Sequence, residues 1–137
     1  MRKLSRRQIR NMLLREMRYV IETAQGSVDN DAAKLMEIFT PAIEMYFSMP
    51  FKPPAEMTKS AIKEALVSNP IVPTDEIVAE FVAAQIAASL TDKATAMQTA
   101  EMIARILAEQ KEEMQTDDGR QRTIEAIKEA LEAAKAK

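Results

Sequence analysis

Apolar side chains recur at three- and four-residue spacing along most of this chain, which is the period of an α-helix rather than that of a strand. The first apolar stripe consists of Ile9, Leu13, Met17, Val20 and Ala24. Ser5 and Gln8 stand before it at the spacing of a capping box, and Gly26 follows it. The pattern therefore predicts a first helix over about residues 5–25.

Proline divides the middle of the chain. Asp29 or Asn30 is a candidate cap for a second helix, and Thr40-Pro41 either kinks that helix or starts a new one. The segment 45–54 (MYFSMPFKPP) contains three prolines and is predicted to be a loop, because proline does not fit a helix interior. A third helix is expected over about residues 55–67.

The second half of the chain has the same organisation. The linker 68–74 (SNPIVPT) leads to a fourth helix, which Thr74 is expected to cap. That helix is so apolar that it should lie at the centre of a bundle or meet another chain. Thr91 is the expected cap of a fifth helix over residues 92–115. The sequence Asp117-Asp118-Gly119 is predicted to be a turn before a last helix, over about residues 120–137.

These elements predict one all-α domain over residues 1–137, a bundle of five to six helices with a proline-rich aromatic loop. Hydrophobic residues make up 47% of the chain and charged residues 29%, as in globular proteins. The longest apolar stretch, from Ile77 to Leu90, is interrupted by Glu80 and Gln85. It is too short to cross a membrane, so no membrane span is expected. No secretory signal is expected either.

Several chemistries lack the residues that they need. The chain has no cysteine and no histidine, which removes thiolate metal sites, Ser-His-Asp and Cys-His catalysis and almost every zinc site. Two glycines do not supply a phosphate-binding loop. A calcium loop starting at Asp29 fails, because Lys34 stands where glycine is required and Thr40 where glutamate is required. We therefore expect a non-enzymatic protein without cofactor or metal.

Positive charge is concentrated at the start of the chain. Residues 1–18 have a charge of +6 in a protein whose net charge is −2. Arg7, Arg15 and Arg18 share one helical face, as on an ordinary solvated surface. Arg6 and Arg10 lie nearer the apolar stripe, in the first turns, where the helix dipole disfavours cations.

This placement predicts an anionic partner. The expected contact set is Arg6, Arg7, Arg10, Arg15 and Arg18. An acidic protein surface is the favoured partner. Nucleic acid is the less favoured alternative, because proteins that bind it usually add aromatic residues that stack on bases, and Tyr19 is the only aromatic residue nearby.

Four of the six aromatic residues lie between positions 39 and 51. Two interpretations stay open: a loop that covers the core, or a binding surface with aromatic anchors and adaptable methionines. The candidate interface residues are Tyr46, Phe47, Met49 and Phe51. Self-association is a further expectation, through the apolar fourth helix and the narrow stripe of the last helix.

The stretch from Leu4 to Glu16 (LSRRQIRNMLLRE) resembles a basic N-terminal signature of short proteins of tailed phages. Ser5, Arg6, Arg7, Gln8, Ile9 and Arg10 follow that signature in order, whereas Asn11 and Leu14 depart from it. The resemblance covers about a tenth of the chain and implies a virion or assembly component. The expected function is thus an interaction or assembly protein, located in the virion or the cytoplasm. A small nucleic-acid-binding regulator is the alternative.

Overall fold

The computed structural model describes the backbone of residues 5–136 and, within that range, all side chains except those of residues 9–26. Helices are the only regular elements of the described residues, and turns and irregular connections join them. This confirms the predicted all-α class. The elements are α1 (Arg6–Ser48), α2 (Ala55–Val67), α3 (Glu76–Ala88), α4 (Lys93–Glu109), a 3-10 helix (Glu113–Gln115) and α5 (Asp117–Lys135).

Helix α1 is much longer than predicted. The expectation that it ends at Gly26 is wrong, because the helix has 43 residues and extends from Arg6 to Ser48. A glycine costs a helix interior only about 1 kcal/mol, so it does not by itself stop one. Neither predicted cap, Asp29 or Asn30, starts a new helix, because both lie inside α1. Asp29 pairs instead with Arg105 of α4, and Asp31 lies 3.4 Å from Nζ of Lys111, which follows α4.

Helix α1 also passes through Pro41, which lies inside it. Proline removes one backbone hydrogen bond and costs roughly 3 kcal/mol in a helix interior. Burial of Phe39 and Ile43, which flank it and are fully inaccessible, offsets that cost. The predicted loop therefore starts later than expected: residues 45–48 are helical, and only residues 49–54, here called the first connection, separate α1 from α2.

The later helices begin at caps other than those predicted. Asp75 rather than Thr74 caps α3, and Asp92 rather than Thr91 caps α4, each accepting a hydrogen bond from the third residue of its helix. In both Thr-Asp pairs the carboxylate is the stronger acceptor. Residues 117–119 do not form a turn but are the first residues of α5, which Thr116 caps.

Of the remaining elements, one has the predicted bounds and one ends earlier than predicted. Helix α2 has the predicted bounds, and it is joined to α3 by residues 68–75, here called the second connection. Helix α4 ends at Glu109 instead of residue 115, and a 3-10 helix follows it.

Helix α3 lies at the centre of the bundle, which is one of the two alternatives left open for it. Its buried residues are Val78, Ala79, Val82, Ala83 and Ile86. The stripe of α5 docks on the same core through Ile124 and Ile127. Both helical surfaces considered for self-association are therefore largely used within the fold. Among the described residues, no helix has the length and apolar character that a bilayer span requires.

Among the described residues, Gly119 lies where the packing leaves no room for a side chain. It lies in the first turn of α5 and is buried. A Cβ atom there would overlap the carbonyl oxygen of Glu113 in the 3-10 helix. The backbone of α5 therefore approaches the 3-10 helix in a way that only glycine permits.

Candidate functional site

Two surfaces carry the residues that the sequence singled out. The first is the start of α1, where the predicted capping box is present: the Ser5 hydroxyl accepts from the Gln8 amide at 3.2 Å, and the Gln8 side chain accepts from the Ser5 amide at 2.8 Å. Arg6 and Arg7 follow directly and are exposed. The side chains of Arg10, Arg15 and Arg18 lie outside the described residues.

The start of α1 differs electrostatically from the starts of α3 and α5. It has no acidic residue in its first turn, whereas Glu76 occupies that turn in α3 and Asp117 and Asp118 do so in α5. The first carboxylate along the chain is that of Glu16. Arg6 and Arg7 thus lie at the positive end of a helix dipole without a neighbouring acid in the sequence.

The second surface is the predicted aromatic interface, which the structure divides into two pairs. Tyr46 and Phe47 are half-buried against the core, and their rings meet edge to face with centroids 5.1 Å apart. Met49 is exposed, and Phe51 is 90% exposed. The helical part of the segment therefore covers the core, whereas its loop part faces solvent. That the loop part is a binding surface stays a prediction.

Lys52 holds the first connection against the end of α1. Its ammonium group donates to the carbonyl oxygens of Phe47 at 3.0 Å and Tyr46 at 3.4 Å, and it also lies over both aromatic rings. A cation at this place stabilises the negative end of the helix dipole. Lys52 thereby fixes the loop that carries Phe51.

An apolar groove lies beside this loop, with a volume of about 200 Å³. We call it the methionine groove. The α1 side supplies Ala42, Met45 and Tyr46, the first connection supplies Met49 and Pro53, and the α2 side supplies Met57, Thr58 and Ala61. Met45 is 60% exposed and Met57 is 64% exposed, so apolar surface lines an open depression.

Three residues of this site, Met57, Ala61 and Lys52, were missed from the sequence although signals for them exist. Met57 precedes Thr58 and Ala61 precedes Ile62, and because Thr58 and Ile62 are buried residues of α2, both missed residues flank its inner face. Lys52 is the one cation of the predicted loop 45–54, and a cation that follows a helix suits the helix dipole.

The other charged clusters join helices to one another. Glu80 of α3 lies 2.7 Å from Lys59 and 3.0 Å from Lys63, both on α2. Hydrogen bonds from these two lysines lower the pKa of the Glu80 carboxyl and raise the pKa of each lysine. A hydrogen bond from the Thr95 side chain likewise lowers the pKa of Asp92. Within the described part of the chain, no group of three potential metal ligands comes together.

The chain was compared with known protein families, curated proteins and solved structures. No protein-family model, no curated protein and no solved structure matches the chain. The two surfaces carry different groups: exposed cations at the start of α1, and apolar and aromatic side chains at the other end of the same helix.

Proposed function

We propose that this chain is a non-enzymatic interaction protein that docks an anionic partner through the basic start of α1. The contact set is Arg6, Arg7, Arg10, Arg15 and Arg18. One observation carries the proposal: Arg6 and Arg7 are exposed at the N-terminus of a helix without an acidic residue in its first turn. Cations placed there oppose the helix dipole, and an anion on a partner compensates for that.

The favoured partner is an acidic protein surface. The chain beyond residue 18 carries a charge of −8, so the excess of positive charge is confined to the basic segment. Such asymmetry steers an anionic partner towards one end of the protein. The resemblance of residues 4–16 to tailed-phage proteins is the reason to propose a virion or assembly component.

The experiment compares two triple variants with equal net charge. In the first, Arg6, Arg7 and Arg10 are changed to Gln; in the second, the exposed Lys34, Lys93 and Lys135 are changed to Gln. The probe is a fluorescent poly-glutamate peptide of about 20 residues, titrated at low salt because screening weakens exposed charge pairs. We expect the arginine variant to bind at least about tenfold more weakly than wild type and the lysine variant to bind nearly as well.

Two results contradict the proposal. Equal losses in both variants mean that net charge alone attracts the peptide, and unchanged binding in both means that the basic segment is not the contact. Circular dichroism of each variant checks that the helices are intact.

The alternative, a small nucleic-acid-binding regulator, uses the same arginines and is tested in the same titration with duplex DNA of about 20 base pairs. It predicts that binding falls linearly on a log–log plot against salt, and that removing three arginine–phosphate contacts reduces the slope by about 3. Tighter binding to DNA than to the peptide, with this change in slope, favours the regulator.

A further inference from the structure

We propose that this protein forms a twofold-symmetric dimer in which Phe51 of each copy inserts into the methionine groove of the other copy. The proposal is independent of the basic start of α1, because it concerns the opposite end of that helix. It names a second copy of this chain as the occupant of the groove.

A projecting side chain and a matching depression lie side by side on one surface. Phe51 stands between Met49 and Pro53, which both line the methionine groove, yet its own ring lies outside the groove and is 90% exposed. The groove volume is about 200 Å³. An apolar cavity of about 150 Å³ accepts a benzene molecule, so this volume suits one phenyl ring.

The loop that presents Phe51 is held before any partner arrives. Lys52 ties it to the last carbonyls of α1 through two hydrogen bonds. Pro50, Pro53 and Pro54 restrict its backbone, and the Met57 amide donates to the Pro54 carbonyl at 3.0 Å. Preorganisation of this kind lowers the entropy that binding costs.

The exposed apolar area of four side chains supplies more than half of what a dimer interface buries. Taking about 200 Å² for a fully exposed large side chain, Met45, Met49, Phe51 and Met57 together expose roughly 500 Å² per copy. A stable interface buries about 800 Å² per partner. These four side chains supply more than half of that area, and the exposed Pro50 and Pro54 extend the same surface.

The arrangement also suits a closed dimer with twofold symmetry. Because projection and groove belong to one patch, a twofold axis through that patch lets each copy give and receive the same contact. The methionines line the groove with flexible, polarisable side chains that adapt to an inserted ring.

The first experiment measures self-association by sedimentation equilibrium, with Phe51→Ala compared with wild type. We expect wild type to dimerise reversibly and the variant to dimerise at least about a hundredfold more weakly, since two central aromatic anchors are lost per dimer. Ile77→Ala is the matched control, because Ile77 is also a large exposed apolar residue, at 67%, and lies on α3 outside the groove. It should leave the dissociation constant unchanged.

A second experiment tests the exchange of contacts directly. Ala61→Trp places a large ring in the groove from an exposed helix position, so it blocks the groove without disturbing the core. Neither Phe51→Ala nor Ala61→Trp should form a tight homodimer. Mixed together, they retain one intact contact, because the Ala61→Trp copy has Phe51 and the Phe51→Ala copy has an open groove. Labelled copies should associate at least about tenfold more tightly in the mixture than in either variant alone.

Each outcome decides the proposal. A wild-type protein that remains monomeric up to about 1 mM overturns it. So does a dimer that survives Phe51→Ala unchanged, or a mixture that associates no better than its components. Unaltered circular dichroism and melting temperature of the diluted variants show that a lost dimer is not a lost fold.

Discussion

The first and second connections share their composition but not their environment. Both are proline-rich and both contain apolar residues, Met49 and Phe51 in one and Ile71 and Val72 in the other. Phe51 is almost entirely exposed, whereas Val72 is completely buried in the core. The segment that covers the core is therefore the second connection, together with the helical aromatic residues Tyr46 and Phe47.

Hydrogen bonds and ion pairs account for this difference in burial between the two connections. In the second connection the Ile71 amide donates to the Asn69 side chain, and the Thr74 hydroxyl donates to the Val72 carbonyl. Arg120 of α5 lies 2.8 Å from Asp75 and fixes its end. The first connection is instead bonded to the two helices that it joins, to α1 through Lys52 and to α2 through the Met57 amide, which donates to the Pro54 carbonyl. A loop that a distant helix also holds can bury its apolar residues, whereas one bonded to its two neighbouring helices presents them to solvent.

The strongest test removes the support of the second connection. Gly119→Ala should lower the free energy of unfolding by about 3 kcal/mol or more, because the new Cβ atom collides with the Glu113 carbonyl and displaces the start of α5. Arg120, the next residue, then no longer holds Asp75. Urea unfolding followed by circular dichroism measures the loss.

Gly26→Ala is the control for that substitution. Gly26 lies inside α1, where alanine has the higher helix propensity, so stability should stay the same or rise by up to about 1 kcal/mol. A similar loss at both positions would show that the Glu113 contact is not the cause.

The two connections are compared directly by truncating one apolar residue in each. Val72→Ala should cost about 2 kcal/mol, because it leaves a cavity at a fully buried site. Phe51→Ala removes a larger side chain but should change the stability of dilute protein by less than about 0.5 kcal/mol, because that side chain is already in water. Equal costs in urea unfolding would contradict the distinction between the two connections.

A smaller effect is expected from the cation that holds the first connection. Lys52→Met should lower stability by about 0.5 kcal/mol, through loss of its interaction with the end of the α1 dipole. Hydrogen exchange of the first connection should accelerate while that of the second connection stays unchanged. Lys52→Arg keeps the charge and should show neither change to the same extent.

The smallest effect concerns α2, the helix that both connections flank. Because the pKa of Glu80 is lowered in the folded protein, its contribution to stability is full above the unfolded pKa of about 4.3 and is lost as the pH falls through the lower folded value. Wild type should therefore lose slightly more stability than Glu80→Gln when urea unfolding is repeated at pH 7 and pH 3. An identical pH dependence in the two proteins would mean that the Lys59 and Lys63 contacts do not contribute.

Helix content and the bounds of α2 follow from the sequence alone, because apolar spacing and proline report on local structure. The capping box at Ser5 and Gln8 is local in the same sense and is present as predicted. Of the candidate site, the sequence identified Phe51 and Met49 as potential anchors. It did not reveal the groove, since Met45 and Met57 come together only when α1 and α2 pack.

Only the tertiary structure decided what depends on partners distant along the chain. Gly26 and Pro41 look like helix ends, but Arg105, Lys111 and the buried Phe39 keep α1 continuous. In the sequence Gly119 is typical of a turn, but in the fold it lies in α5 against the carbonyl of Glu113. Whether a proline-rich apolar segment covers the core or faces solvent is likewise set by the elements that hold it. Local propensities are worth about 1 kcal/mol per residue or less for most residues, and the burial of a single large side chain outweighs them.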